Sequence, residues 1–222
     1  MIISHRLKYV FIHNPKTAGT SVRNLFVKNP KIFQTDVVGN WAGITEEQFE
    51  QFPKVSRDLW THSSAAEIKE WMINNGYDWD DYFKFCFIRN PWDRMVSAYE
   101  YYMQTIPKFT ITSDENKQIA KKYSKLPAKD FLIQRATDNA YMMYDANHNL
   151  LVDFVGKVEN INEDMQTIFK NIRPLLSGKT LEIPKDNTTQ RVANYREYYD
   201  DESIEVVRRK CQRTIKLGNY EF

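Results

Sequence analysis

One unit recurs along the chain: a short apolar run, then a polar turn, then apolar residues at helical spacing. The first unit begins with the apolar run Tyr9–Ile12, which is typical of a buried strand. The turn HNPKTAGTS follows, and Val22, Leu25 and Phe26 come next at spacings of three and one. These positions share one face of a helix, so the pattern predicts a strand, a turn and a helix with a buried side.

Three further units repeat this order. Their predicted strands lie around 59–61, at Phe83–Ile88 and within 150–158, and their helices begin near Ser64, Asn90 and Asn162. Ser64 and Glu67 have the spacing of a capping box, which marks a helix start. Asn90 followed by Pro91 marks another, because asparagine caps helices and proline suits their first turn.

Strands that alternate with helices favour an α/β fold with a central parallel sheet flanked by helices in three layers. The run FKFCFI at Phe83–Ile88 is almost wholly apolar, as expected for a strand buried on both faces. Ligands of such sheets bind outside the carboxyl ends of the strands. Lys16, His62 and Arg89 follow three predicted strands, so we expect them at one edge of the sheet.

The length of 222 residues and the absence of linkers or repeats predict a single domain over residues 1–222. The segment 104–149 has a helical pattern that fits the sheet units poorly, and it is a candidate lid over the acceptor site. The 31 basic and 29 acidic residues nearly balance, which argues against nucleic acid and anionic membranes as partners. We find no signal peptide and no membrane span, so we expect a soluble, cytoplasmic protein.

The cysteines and histidines do not have metal-ligand spacing. Cys86 lies in the apolar strand and is expected to be a buried, inert thiol. The four histidines are scattered, so we predict no metal site. The basic run from Arg208 to Lys216 follows a group of acids, which is the charge order of a surface helix, here ended by Gly218.

The turn HNPKTAGTS has the features of an anion-binding loop. It lies before a helix N-terminus, whose N–H groups and dipole favour a phosphate, and Lys16 adds a positive charge. Gly19 is expected to supply conformational freedom. The loop is not a Walker A motif, because its lysine precedes the glycine. The structural alternative is a threonine- and serine-rich helix cap beside an exposed lysine.

Four segments in order, FIHNPKTAGTS, THSSAAEIKEW, FCFIRNPWDRMVSAYEYY and the tail from NYREYYDD, resemble the sulfotransferases that include the carbohydrate sulfotransferases. The resemblance implies a nucleotide-kinase-like (P-loop-like) fold and the donor 3′-phosphoadenosine-5′-phosphosulfate (PAPS), with PAP as product. It implies a His62 general base and a 3′-phosphate site at Arg89 and Ser97. It also implies a closing loop around 187–191 that contributes Arg191. The implied 5′-phosphosulfate site consists of Lys16, Thr17, Ala18, Gly19, Thr20 and Ser21.

Sulfuryl transfer needs positioned charge and a base for the proton of the acceptor hydroxyl. Lys16 and His62 supply both, and the acceptor implied by the resemblance is a carbohydrate. Three structural alternatives stay open: His62 as a helix cap, Arg89 paired with Asp93, and Ser97 as a packing residue. Two other functions also stay open, an ATP-dependent small-molecule kinase and a non-catalytic nucleotide-binding protein. The sequence leaves the oligomeric state open.

Overall fold

The computed structural model describes residues 1–40, 47, 50, 54–108, 114–172 and 194–222, with only the backbone of residues 30 and 31. The chain divides into two compact units. The first comprises Met1–Ile88 and Tyr141–Asn187, and the second comprises Arg89–Ala140 and Thr188–Phe222.

A six-stranded sheet forms the centre of the first unit. Its strands are β1 (Ile2–Ser4), β2 (Tyr9–Ile12), β3 (Val37–Asn40), β4 (Val55–Trp60), β5 (Phe83–Ile88) and β6 (Phe154–Lys157), in the spatial order β4-β3-β1-β2-β5-β6. β1 is antiparallel to both of its neighbours, and the other pairs are parallel. The fold is therefore α/β with a mostly parallel sheet, and the predicted strands β2, β4, β5 and β6 are confirmed.

The α-helices of the described residues connect or follow these strands. They are α1 (Gly19–Lys28), α2 (Pro30–Phe33), α3 (Ala65–Asn74), α4 (Pro91–Glu100), α5 (Asp114–Tyr123), α6 (Ala128–Arg135), α7 (Ile161–Ile172), α8 (Asp201–Lys210) and α9 (Gln212–Gly218). Shorter helical turns, of the 3₁₀ type and in one case of the π type, lie at Trp79–Asp81, Tyr101–Thr105, Ile106–Lys108, Asn139–Met143, Val158–Asn160 and Tyr195–Tyr198.

One face of the sheet packs against α1 and α7. This core contains the strand residues Tyr9, Phe11, Phe85 and Phe87 and the helix residues Val22, Phe26, Met165, Ile168 and Phe169. The alternate strand residues Val10, Ile12 and Cys86 are also fully buried, so the central strands are covered on both faces. Cys86 is confirmed as a buried core residue, and burial raises the pKa of its thiol.

Two predicted helix starts are confirmed in detail. The Ser64 hydroxyl accepts from the Glu67 amide at 3.3 Å, and the Glu67 carboxylate accepts from the Ser64 amide at 2.6 Å, which completes the capping box. The Asn90 side chain accepts from the amides of Trp92 and Asp93, with Pro91 in the first turn. Local chemistry therefore fixes where α3 and α4 begin, directly after β4 and β5.

The second unit is helical and has its own core. Trp92, Met95 and Val96 of α4 belong to a cluster that also contains residues of α6 and α8. The described part of the 104–149 segment is largely helical, as predicted. The tail forms two helices, because Cys211 interrupts the regular pattern between α8 and α9.

Neither unit contains, within the described ranges, a helix long and apolar enough to cross a membrane. In the same ranges no three His, Cys, Asp or Glu side chains are grouped so that they could hold a metal ion.

Candidate functional site

The loop after β2 and the turn after β4 lie at one edge of the first unit. β2 and β4 run in the same direction, since β1 is antiparallel to β2 and β3, and β3 is parallel to β4. Their carboxyl ends, followed by Lys16 and His62, therefore meet at the same edge of the sheet. Arg89 and Ser97 belong to the second unit and are described separately below.

The loop between β2 and α1 is held in an unusual backbone conformation. Lys16 and Ala18 adopt left-handed φ angles of 64° and 57°, which residues other than glycine rarely do. Such angles persist only where surrounding bonds enforce them, and they concentrate at functional sites. Here Nδ2 of the Asn14 side chain donates to the backbone carbonyl of Phe87 at 3.0 Å, which ties the loop to β5. The Thr17 hydroxyl donates to the backbone carbonyl of Asn14 at 3.0 Å, which holds the turn within the loop.

Gly19 serves the loop in a way that differs from our expectation. It does not use a left-handed φ; among the described glycines Gly76 has one. Instead, a Cβ atom at Gly19 would lie 1.9 Å from Cδ2 of His13. The missing side chain therefore makes room for the imidazole of His13, which lies against the start of α1.

The N-terminus of α1 has no side-chain cap, as is also true of α6 and α9. Ala18 is its N-cap and makes no side-chain hydrogen bond, and the first turn contains no acidic residue. In contrast, α3, α4 and α8 have side-chain caps from Ser64, Asn90 and Asp200. Because the first N–H groups of a helix have no acceptor within it, this end is suited to an anion.

The predicted loop residues differ in what they can offer to such an anion. The Thr17 hydroxyl is engaged with the loop itself, so Thr17 offers its backbone N–H. Ser21 is buried, whereas Thr20 is partly exposed. Lys16 is also partly exposed and carries the positive charge of the loop.

One hydrogen bond fixes the orientation of the His62 ring. Its Nδ1 atom lies 2.8 Å from the backbone carbonyl oxygen of His13. A carbonyl oxygen can only accept, so Nδ1 carries the proton and Nε2 carries the lone pair of the neutral ring. Part of the ring reaches solvent. Burial of the remainder lowers the pKa of His62, the hydrogen bond to the His13 carbonyl opposes this, and the charges of Arg23 and Lys16 act with burial.

His13 and Arg23 lie beside His62, and the sequence did not single out either as part of the site. The His13 ring is almost fully buried and meets the His62 ring edge to face, with 4.5 Å between centroids. Burial holds the pKa of His13 well below its usual value, and the positive charge of Arg23 acts in the same direction. Arg23 follows Gly19 by four residues, so it shares the helix face on which His13 lies. The i, i+4 spacing of Gly19 and Arg23 was the sequence signal that could have identified Arg23.

In the second unit, Arg89 and Asp93 form the ion pair that was the structural alternative for Arg89. The Arg89 Nε atom lies 2.6 Å from Oδ2 of Asp93, and both side chains are 18% exposed. The ion pair uses the Nε atom of Arg89. Bidentate binding of a phosphate by arginine can use the two terminal nitrogens of the guanidinium group instead. Ser97 lies one turn further along α4, on the face of Asp93, and is buried.

A second arginine, in α4, has a structural position. Arg94 is buried and donates to the carbonyl of Thr137 within the second unit. Arg191 and the predicted closing loop at 187–191 lie outside the described residues.

Residues 1–216 match the family described as the Sulfotransferase family, and the chain belongs to that family. An uncharacterised protein of Archaeoglobus fulgidus is 33% identical over 105 residues, which cover 46% of this chain and 79% of the relative. No solved structure matches the chain.

Proposed function

We propose that this protein transfers a sulfuryl group from PAPS to an acceptor hydroxyl, most simply that of a carbohydrate. The observation that carries the proposal is the His62 ring, held through Nδ1 by the His13 carbonyl at the sheet edge that also carries the Lys16 loop. This pairing provides a base for the acceptor and a cation for the donor. Membership of the Sulfotransferase family supports sulfuryl transfer as the reaction.

The loop residues fit the phosphosulfate end of the donor. The N-terminus of α1 has no side-chain cap and no acidic residue in its first turn, so nothing there opposes an anion. In this proposal the backbone N–H groups of 17–21 bind the 5′-phosphosulfate oxygens, and Lys16 faces the oxygen that bridges phosphorus and sulfur. Arg89 and Ser97 bind the 3′-phosphate, and Arg191 contributes from the closing loop.

The proposed reaction is a single in-line displacement at sulfur. The acceptor oxygen forms a bond to sulfur while the bond from sulfur to the 5′-phosphate oxygen breaks. The electron pair of the broken bond leaves on that phosphate oxygen, where the Lys16 ammonium stabilises the developing charge. The acceptor proton passes to Nε2 of His62. The products are a sulfate ester and PAP.

Donor binding and transfer can be tested on the wild-type chain. We expect PAP to raise the melting temperature without added metal, and ATP with Mg²⁺ to leave it unchanged, because a ligand stabilises the state that binds it. Labelled PAPS should transfer sulfate to members of a panel of glycans, phenols and peptides. Stabilisation by ATP and Mg²⁺ alone would instead favour a kinase.

Two variants and a control test the assigned roles. Lys16→Ala and His62→Gln should each lower kcat at least about a hundredfold, the usual range for a lost acid–base or charge-stabilising group. Both should keep the melting temperature within a few degrees of wild type. Lys28→Ala is the matched control, because Lys28 is an exposed lysine in the last turn of α1. Normal transfer in either site variant would refute its role.

A further inference from the structure

A chain of hydrogen bonds connects the backbone of Glu221 to the side chain of Arg89, and all of its members belong to the second unit. Nδ2 of Asn90 donates to the Glu221 carbonyl at 3.0 Å. Oδ1 of the same Asn90 accepts from the Asp93 amide at 3.3 Å. The Asp93 carboxylate accepts from Nε of Arg89 at 2.6 Å. The orientation of the Arg89 guanidinium therefore depends on where the backbone of residue 221 lies.

Aromatic rings hold the segment 219–222 in place. The Phe222 ring meets three other rings edge to face, with centroids 5.7, 5.9 and 5.5 Å away, those of Trp92, Tyr195 and Tyr199. Perpendicular ring pairs of this kind stabilise a structure beyond the area that they bury. Through these contacts Phe222 packs against the core of the second unit. Phe222 is therefore the anchor of the segment.

The chain turns sharply at the end of α9 to make these contacts. Asn219 ends the helix with a left-handed φ of 48°, and the Tyr220 amide donates to the Ile215 carbonyl at 3.1 Å. The Tyr220 ring lies against Gly218, where a Cβ atom would be only 2.1 Å from the ring. The missing side chain therefore lets the turn close, and the residues that follow reach the start of α4.

Asn90 joins this segment to the helix that follows Arg89. Its Oδ1 atom also accepts from the Trp92 amide at 3.1 Å, so one side chain both caps α4 and holds Glu221. A helix cap uses only the oxygen of an asparagine, which leaves its amide to donate elsewhere. The Trp92 ring is also one of the rings that Phe222 contacts. Loss of the Phe222 ring would therefore disturb the start of α4 at two points.

We propose that Phe222 and Asn90 are positioning residues for the 3′-phosphate of the donor. The inference rests on the proposed function, in which Arg89 binds that phosphate. Because Asp93 holds Nε, the guanidinium has a set orientation in which its terminal nitrogens can meet the phosphate. An arginine that is ordered before the donor arrives loses less conformational entropy on binding. The segment 219–222 thus contributes to donor affinity without contacting the donor.

The test compares the binding of PAP with that of adenosine 5′-monophosphate (AMP), which lacks the 3′-phosphate, by isothermal titration calorimetry. Wild type should bind PAP more tightly than AMP. Phe222→Ala should weaken PAP binding about tenfold, the order expected when hydrogen bonds to a charged group are partly lost, and should change AMP binding less than about twofold. Phe222→Tyr keeps the aromatic ring and should bind PAP as wild type does.

A second variant tests the hydrogen-bond chain itself, and a third is the control for packing. Asn90→Ser keeps an oxygen that can cap α4 but loses the amide that donates to Glu221, so it should show the same selective loss of PAP affinity. Ile119 of α5 packs against the same core and is not a member of the chain. Ile119→Ala should lower the melting temperature without changing the ratio of PAP and AMP affinities.

Each adverse result has its own meaning. If Phe222→Ala and Asn90→Ser bind PAP as wild type does, or lose PAP and AMP affinity equally, the positioning role is overturned and sulfuryl transfer stays in place. A wild-type protein that does not bind PAP would overturn the proposed function first, and the positioning role with it.

Discussion

At the scale of single residues, the proposed base depends on one hydrogen bond. The bond from Nδ1 of His62 to the His13 carbonyl selects the tautomer whose Nε2 can accept a proton. Burial lowers the pKa of His62, whereas the hydrogen bond to the His13 carbonyl raises it, and the net direction is a lowered pKa.

This arrangement predicts the pH dependence of transfer. A lowered pKa means that His62 loses its proton below pH 6.5, so the acid limb of kcat/KM should have its midpoint below that value. Arg23→Gln removes a positive charge that lowers this pKa, and the midpoint should then move to higher pH. Profiles between about pH 5 and pH 8 measure both effects.

The control for this prediction is Lys28→Gln, which removes a charge at the far end of α1 and should not move the midpoint. A wild-type midpoint at or above pH 6.5 would contradict the neutral-base assignment.

The sequence predicted Lys16 and His62 as site candidates, because each follows an apolar strand. It could not predict that the His13 carbonyl would orient His62. That contact joins the ends of β2 and β4, which are far apart in the chain, and no local pattern encodes it.

At the scale of elements, prediction succeeded where the local pattern was long or capped. β5 and the starts of α3 and α4 were predicted correctly, because a continuous apolar run and side-chain caps mark them. β1 and β3 were missed. Each has only three or four residues, and their place in the sheet depends on pairing with each other.

The start of α1 gives a prediction at this scale. Gly19→Ala would drive a Cβ atom into the buried His13 ring, which has little room to move. We expect a loss of about 1–3 kcal/mol in the free energy of unfolding, as is usual for overpacking. We also expect a fall in kcat, because the displaced His13 carries the carbonyl that orients His62. Denaturant unfolding and transfer kinetics measure the two effects.

Gly156→Ala is the matched control, since its Cβ would lie 2.6 Å from the Phe87 ring in the core. It should lower stability to a similar degree with a smaller change in kcat. An equal fall in kcat in the two variants would show that the effect of Gly19→Ala is not specific to His13.

At the scale of the whole molecule, charge is balanced but unevenly used. The net charge is only +2, yet the positive charges of Lys16 and Arg23 both act on His13 and His62 at one sheet edge. A small nucleotide needs only a few local cations. The near-neutral net charge therefore argues only against extended anionic partners, not against a nucleotide.

The buried His13 predicts how the stability of the protein depends on pH. Its pKa in the folded state is lowered well below the ordinary 6.5, so the unfolded chain binds a proton more readily. The contribution of His13 to the free energy of unfolding is therefore fully present above pH 6.5, and it is lost as the pH falls below that value. Urea unfolding at several pH values should show this loss, and His13→Asn should reduce its steepness.

His148→Asn replaces an exposed histidine and serves as the control, with the wild-type steepness expected. The same steepness in His13→Asn and wild type would rule out His13 as the source.

The pairing order of the sheet has a consequence for how the chain folds. β1 and β2 form a local hairpin, with Ser4 paired to Tyr9, so closing that loop costs little entropy. β2 meets β5 through the pair Tyr9 and Phe83, and β5 meets β6 through Phe85 and Phe154, which requires large loops to close. Distant pairings of this kind form slowly. We therefore expect the β1–β2 hairpin to gain contacts early, and the pairings of β2 with β5 and of β5 with β6 to form late.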